Sequence, residues 1–251
     1  MTKILFVGDP HLDSMTPVSR ADDYREITLN KLDQIKNICI TNDIKLVVFA
    51  GDMFSTLNQS LIYMNQVIDK FNEFHKENIE VLTLVGNHDL PRNNMSLLKN
   101  SPLYTLLAKG SVKRVSEDSI IPYEISENIN LYGIDYTMKD SLKDIVLDDS
   151  KVNLLIIHYA TDKTVPADDI PYEDYSNFDL MFSGHDHHYY PTQTKGKTIV
   201  LRPGSMTRTT REKHNVERDI IVNEVQVSEN STIKVIDHKL DISEPDIAFR
   251  S

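Results

Sequence analysis

The sequence predicts an α/β fold in which two β-sheets stack face to face with helices outside. Three observations predict it. Residues 3–85 alternate apolar strand-like runs with amphipathic stretches in the order β-α-β-α-β, which requires parallel strands joined by right-handed crossovers. The second half is rich in short strand-like runs and poor in helical periodicity, so those runs need a second sheet. No repeat, low-complexity tract or linker divides the chain, so residues 1–251 read as one domain.

The elements follow in order. Residues 3–8 form a buried strand, Lys3-Ile4-Leu5-Phe6-Val7-Gly8. Residues 19–41 show helical spacing, with Ile27, Leu32, Ile35, Ile38 and Cys39 on one face. Residues 45–50 are a second strand. Residues 60–76 form a second helix through Leu61, Met64, Val67, Ile68 and Phe71, and residues 80–85 a third strand. Strands are then expected at 112–115, 120–125, 129–134, 152–157, 179–182, 189–194, 197–201, 217–227 and 232–239, with a hairpin turn at Lys195-Gly196. A short helix is expected at 139–147. Residues 161–177 are acidic, carry Pro166 and Pro171, and read as a surface loop.

Composition excludes several classes. The chain is 40% hydrophobic and 26% charged, as in ordinary globular proteins. No apolar run approaches the roughly 20 residues that cross a bilayer, and the N-terminus leaves no room for a signal segment before the first motif. A lone cysteine, Cys39, allows no internal disulfide; it reads as a small core residue in a cytoplasmic protein. The net charge of −11 argues at first against nucleic acid. Its distribution matters more. Residues 135–181 hold eleven acids and four bases, whereas residues 195–218 hold seven bases and two acids. Bound divalent ions would also invert the local field.

Five motifs carry the chemistry: Asp9-Pro10-His11, Gly51-Asp52, Gly86-Asn87-His88-Asp89, an isolated His158 and Gly184-His185-Asp186-His187. They hold five of the nine histidines. Each follows an apolar strand-like run, and in parallel sheets functional groups collect at the carboxyl ends of strands. Asp9 and His11 alternate on leaving a strand, so both point one way and can grip one ion. Asp52 has two oxygens and can bridge two ions. Asn87 offers a neutral oxygen, and His185, His187 and His158 offer nitrogen. A mixed nitrogen and oxygen set without thiolate suits manganese, iron or zinc. Two ions roughly 3.5–4 Å apart can hold a hydroxide and clamp a phosphate for in-line attack. His88 is placed to protonate the leaving oxygen. Asp89 either orients that imidazole or caps the following turn.

These motifs resemble the calcineurin-like metallophosphoesterases, whose pattern is Asp-x-His, Gly-Asp, Gly-Asn-His-Asp or -Glu, a lone His and Gly-His-x-His. All five match in order across residues 9–187. Within that family the chain looks most like the SbcD-type DNA repair exonuclease subunits, including phage counterparts. The residues that carry this are Asp9-Pro10-His11-Leu12, Ala50-Gly51-Asp52-Met53-Phe54, Gly184-His185-Asp186-His187-His188 and Arg202-Pro203-Gly204-Ser205-Met206-Thr207-Arg208. The resemblance implies a four-layer α/β/β/α sandwich and manganese-dependent hydrolysis of DNA phosphodiesters in recombination or repair. It also implies an SMC-like ATPase partner of the SbcC type and often a homodimer, in the cytoplasm of a bacterial or phage-infected cell. Carried over by residue, Asp9, His11, Asp52 and His187 hold a first metal; Asp52, Asn87, His158 and His185 hold a second; His88 is the catalytic histidine.

Departures are visible. Asp13 stands where such nucleases often have glycine, and Ser55 where many have histidine. The capping domain of larger members is not visible here. Arg202, Arg208 and Arg211 are candidate contacts to a nucleic-acid backbone, although Arg202-Pro203-Gly204-Ser205 reads equally as a plain turn. His188 is expected to be an exposed neighbour of the ligands, and His75, His214 and His238 surface or structural residues. Two rival functions remain open: a protein phosphatase or small phosphodiesterase on the same fold, and a non-catalytic partner-binding scaffold.

Overall fold

A computed structural model describes residues 1–115, 117–164, 168–242 and 248–249, with His214 described in its backbone only. Pro166 and the side chain of His214, both singled out in the sequence, lie outside the described residues.

The N-terminal half builds the first sheet. Strand β1 (Thr2–Val7), helix α1 (Tyr24–Asn42), β2 (Leu46–Phe49), α2 (Leu61–Lys76) and β3 (Glu80–Thr83) follow the expected alternation. Helix α1 starts later than its apolar spacing implies, because the Asp23 side chain accepts the amide hydrogens of Arg25 and Glu26. Ser60 caps α2 in the same way. A seven-residue helix, α3 (Pro102–Ala108), has no counterpart among the expected elements. It is too short to show periodicity, but Ser101 caps it and Pro102 opens it. Strand β4 shrinks to Lys113–Arg114.

The second half supplies β5 (Tyr123–Ser126), β6 (Ile129–Ile134), β7 (Val152–Ile157), β8 (Ala160–Thr161), β9 (Asp169–Ile170), α4 (Tyr172–Tyr175), β10 (Leu180–Ser183), β11 (Tyr190–Lys195), β12 (Thr198–Arg202), α5 (Lys213–Glu217), β13 (Ile220–Val227) and β14 (Ile233–Leu240). The helix expected at 139–147 is a 3-10 turn over Lys139–Asp144. The segment expected to be a plain acidic loop contains β9 and α4. The hairpin at Lys195-Gly196 forms, with Lys195 opposite Thr198 and Gly196 at φ +56°.

One six-stranded sheet runs β14-β13-β1-β2-β3-β4 and the other β11-β12-β10-β7-β6-β5. Side-chain alternation on β1 shows how they stack. Leu5 and Val7 face α1 and α2 with Val47, Phe49, Leu32, Ile35 and Phe71. Ile4 and Phe6 face the other sheet with Val48, Leu154, Ile156, Leu180 and Phe182. Phe6 and Phe182 stack across this interface with ring centroids 5.2 Å apart. The outer face of the second sheet packs Leu155, Ile157 and Met181 against Leu142 of the 3-10 turn, Tyr175 of α4 and Phe178 just after it. The layers are α/β/β/α, with a thin fourth layer. Among the described residues no helix is long and apolar enough to cross a membrane.

This stacking sets the position of the site. Strands β1, β2 and β3 are mutually parallel, as are β7 and β10. Their carboxyl ends meet at one edge of the sandwich.

Candidate metal centre

Each motif leaves the end of one of those strands. Asp9 and His11 follow β1, Asp52 follows β2, Asn87 and His88 follow β3, His158 follows β7, and His185 and His187 follow β10. Asp9, His11, Asp52 and His158 are all at most 3% exposed. Asn87, His185 and His187 are partly open and His88 is exposed. The three turns are sharp: His11, Asp52 and His185 have φ of 48°, 46° and 73°. Such left-handed backbone in non-glycine residues costs of order 1–3 kcal/mol each and gathers at functional sites. Two glycines make room for it. Gly51 sits at φ +99°, and a Cβ on Gly86 would fall 2.1 Å from Asp52 Oδ1.

The structure brings the seven candidate ligands together in two groups. One ligand atom each from Asp9, His11, Asp52 and His187 lie within 4.8 Å of one another, as do those from Asp52, His158 and His185. Asn87 joins the second group, its Oδ1 lying 3.0 Å from both His158 Nε2 and His185 Nδ1. Asp52 divides its oxygens between the groups: Oδ2 is 3.8 Å from His11 Nε2, and Oδ1 is 3.4 Å from His158 Nε2.

The donor set fits two divalent cations that share Asp52. Acceptors and imidazole nitrogens crowd one buried space, with His11 Nε2 and His187 Nε2 only 2.8 Å apart. The buried carboxylates and imidazoles of this cluster shift one another's titration. Burial raises the Asp9 carboxyl to about 8, with His158 opposing and Asp52 adding to the rise. Burial would also raise Asp52, but His158 and His11 outweigh it and hold Asp52 well below the usual carboxylate range. Burial pushes His158 down, yet Asp52, Asp9 and the Ala50 carbonyl bring it up to about 10. The imidazoles of His11, His185 and His187 are pushed toward the neutral form that binds a cation: burial lowers His187 to about 4, and burial and neighbouring histidines lower His11 and His185.

Main-chain carbonyls aim two of the rings. His158 Nδ1 donates to Ala50 O at 2.7 Å, which turns Nε2 inward. His88 Nδ1 donates to Ser55 O at 2.8 Å, and Nε2 has no hydrogen-bond partner among the described residues. Asp89 therefore does not orient His88. It is fully buried and accepts the amide hydrogens of Met53, Phe54 and Gly86, clamping the loop after β2 to the loop after β3. The Ser55 hydroxyl donates to His11 O at 3.0 Å.

The three arginines do not form one surface. Arg202 is 5% exposed, pairs with Asp162 at 2.8 Å and lies over the Tyr190 ring. Arg208 is 2% exposed, and its Nη1 donates to Val216 O at 2.6 Å. Both are buried, whereas Arg211 is exposed. His188 and His75 are exposed, and His238 pairs with Glu224 at 2.7 Å. Sequence reasoning missed Asp168, whose Oδ2 lies 3.1 Å from His185 Nε2. It sits among ten other acids of a segment that reads as solvated surface, so no local pattern singles it out.

Comparison with known proteins gives the family and the fold. The profile of a family described as calcineurin-like phosphoesterase matches residues 2–189. The chain is 26% identical over 255 residues to the double-strand break repair protein MRE11 of Encephalitozoon cuniculi, covering 82% of this chain and 42% of that protein. It is 28% identical over 152 residues to the DNA double-strand break repair protein Mre11 of Methanocaldococcus jannaschii, covering 57% of this chain and 40% of that protein. The chain thus spans about two-fifths of the length of these relatives. Among solved structures it resembles TT1561 of Thermus thermophilus, with a TM-score of 0.55 and 9% identity over 93% of this chain and 97% of that one. It also resembles a dimetal phosphatase from Danio rerio, with a TM-score of 0.54 and 12% identity over 91% and 93%. At those identities the structural likeness speaks for the fold alone.

Proposed function

Because the chain belongs to the calcineurin-like phosphoesterase family, we propose that it is a manganese-dependent DNA nuclease acting in recombination or repair. The observation that carries the reading is Asp52, whose two oxygens face two ligand groups beside an exposed histidine. Bound there, divalent ions would polarise a phosphodiester and activate water. Asp9, His11, Asp52 and His187 would hold one ion, and Asp52, Asn87, His158 and His185 the other.

The chain's own residues supply the rest. His88 keeps Nδ1–H on the Ser55 carbonyl, so when the ring carries a second proton it sits on Nε2, and passing it to the leaving oxygen returns the neutral ring. DNA as substrate is supported by relatives named for DNA double-strand break repair. The exposed Arg211 is the remaining candidate for a backbone phosphate. The complete donor set weighs against a scaffold. A phosphatase on the same fold is the rival that substrate preference would reveal.

The test is cleavage of end-labelled single- and double-stranded DNA with manganese and with EDTA, beside His88→Ala. Metal-dependent cutting is expected, with at least a 100-fold loss in the variant, since general acids contribute roughly 10²–10⁴-fold. A chain that hydrolyses phosphopeptides or nucleotides in preference to DNA would overturn the substrate. Arg211→Glu should weaken DNA binding and flatten its salt dependence; unchanged affinity would return Arg211 to plain surface.

An SMC-like ATPase partner and a homodimer belong to the same proposal, in the cytoplasm of a bacterial or phage-infected cell. The exposed Met15, Val18, Leu57, Leu61 and Ile62 support self-association. The two loops that carry most of them are tied by Ser14 N to Gln59 Oε1 and Ser60 N to Ser14 Oγ. Light scattering tests the dimer and copurification tests the ATPase.

A further inference from the structure

We propose that Asp168 is the positioning residue for His185, holding its imidazole so that Nδ1 points into the second ligand group. The inference rests on the metal-centre reading above and adds a residue to it.

The two nitrogens of His185 face opposite partners. Nδ1 lies 3.0 Å from Asn87 Oδ1, inside the group, and Nε2 lies 3.1 Å from Asp168 Oδ2, outside it. A neutral imidazole carries one N–H. With that hydrogen donated from Nε2 to the carboxylate, the lone pair sits on Nδ1, where a cation would need it. The backbone of His185 is already fixed, since its amide donates to Asp9 Oδ2 at 2.9 Å and its φ is 73°. The ring still needs a partner to hold its rotation, and Asp168 is that partner.

Asp168 is itself held. Its Oδ1 accepts the Tyr136 hydroxyl at 3.4 Å. The Tyr136 ring lies against His185 at 5.8 Å and stacks on Tyr159 at 5.5 Å. Asp168 immediately precedes β9, and β9 pairs with β8 through Ala160 opposite Asp169 and Thr161 opposite Ile170. Strand β8 begins two residues after His158. The strand end that delivers His158 therefore also anchors the carboxylate that aims His185. This gives the two-residue pairing of β8 and β9 a purpose that its length alone does not.

His158 and His88 are aimed by neutral carbonyls. His185 receives a carboxylate instead, which also raises the basicity of a ligating imidazole. Loss of such an outer partner typically costs about 10–100-fold in metal affinity.

The experiment is manganese binding to the full chain, by isothermal titration and by electron paramagnetic resonance. It compares wild type, Asp168→Ala and Asp168→Asn, with thermal melts as a control for folding. We expect two ions in the wild type. In Asp168→Ala the first ion should bind as before and the second about 10–100-fold more weakly, with the coupled-pair signal fading at manganese levels that saturate the wild type. Asp168→Asn keeps an oxygen acceptor and should recover part of that loss. Equal affinity for the second ion in Asp168→Ala would overturn the role, as would an asparagine variant no better than alanine. A wild-type chain that bound no manganese would overturn the metal-centre reading itself, a separate outcome visible before any variant is compared.

Discussion

Asp52 is the residue on which the two ligand groups depend, because one carboxylate serves both. Its Oδ1 also accepts the His88 amide at 2.8 Å, so the same side chain positions the proposed acid. Asp52→Ala should remove both ions from the metal count and lower cleavage by at least 100-fold; a variant that kept two ions and full turnover would refute the shared-ligand assignment. The residue types at these positions are legible in the sequence, since five motifs of carboxylates and imidazoles recur in order after apolar strand-like runs. Their outer partners are not. The carbonyls of Ala50 and Ser55 aim His158 and His88, and every residue has a carbonyl. Asp168 acts from a different loop, and only folding brings it to His185.

The elements that matter most are the strand-end loops. Strands β1, β2 and β3 end in consecutive turns, and Asp89 joins two of those turns by accepting three buried amide hydrogens. Each orphaned buried donor costs roughly 1–3 kcal/mol, so Asp89→Ala should lower stability by about 3 kcal/mol or more. Urea denaturation reads this directly, and a loss under about 1 kcal/mol would mean that the turns hold without the clamp. The long elements are predictable because α1 and α2 carry enough turns for an apolar stripe, and because β1 and β2 are continuous apolar runs. Short elements are not. Helix α3 spans under two turns, and β8 and β9 have two residues each, too few for any period to emerge. The neighbouring positions of Asp89 and His88 suggest that one orients the other, but adjacency in sequence is a poor guide where the chain turns sharply.

At the scale of the molecule, α1 is joined to the chain's later half by a buried cationic cluster. Arg20, Lys31, Arg208 and Arg218 are all at most 8% exposed. Burial, reinforced by Arg208, Arg218 and Arg20 and opposed by Asp241, brings the Lys31 amine down to about 7 from 10.5. Between those values the unfolded chain holds a proton that the folded chain has shed, so stability rises with pH across the window; the penalty is fully present below about pH 7. Lys31→Met should therefore stabilise the protein near pH 7 by on the order of a few kcal/mol, and its advantage in melting temperature should shrink toward pH 10. A constant difference across that range would place the effect in packing instead of charge.

The sequence by itself determined the α/β class, the parallel order of the first three strands and the residue types of the candidate metal centre. Those features are written in local periodicity and in motifs that each sit on one strand end. Only the tertiary structure decided which partners complete the site and which charges are buried. Arg202 and Arg208 look like surface phosphate contacts in a basic stretch, yet Asp162 and Tyr190 cover the first and Val216 and Phe249 the second. Asp168 looks like one acid among many, yet the return of its loop beside β8 sets it against His185. Burial and long-range contact are properties of how the sheets pack. A chain encodes them through its whole core, and no short string of residues carries them alone.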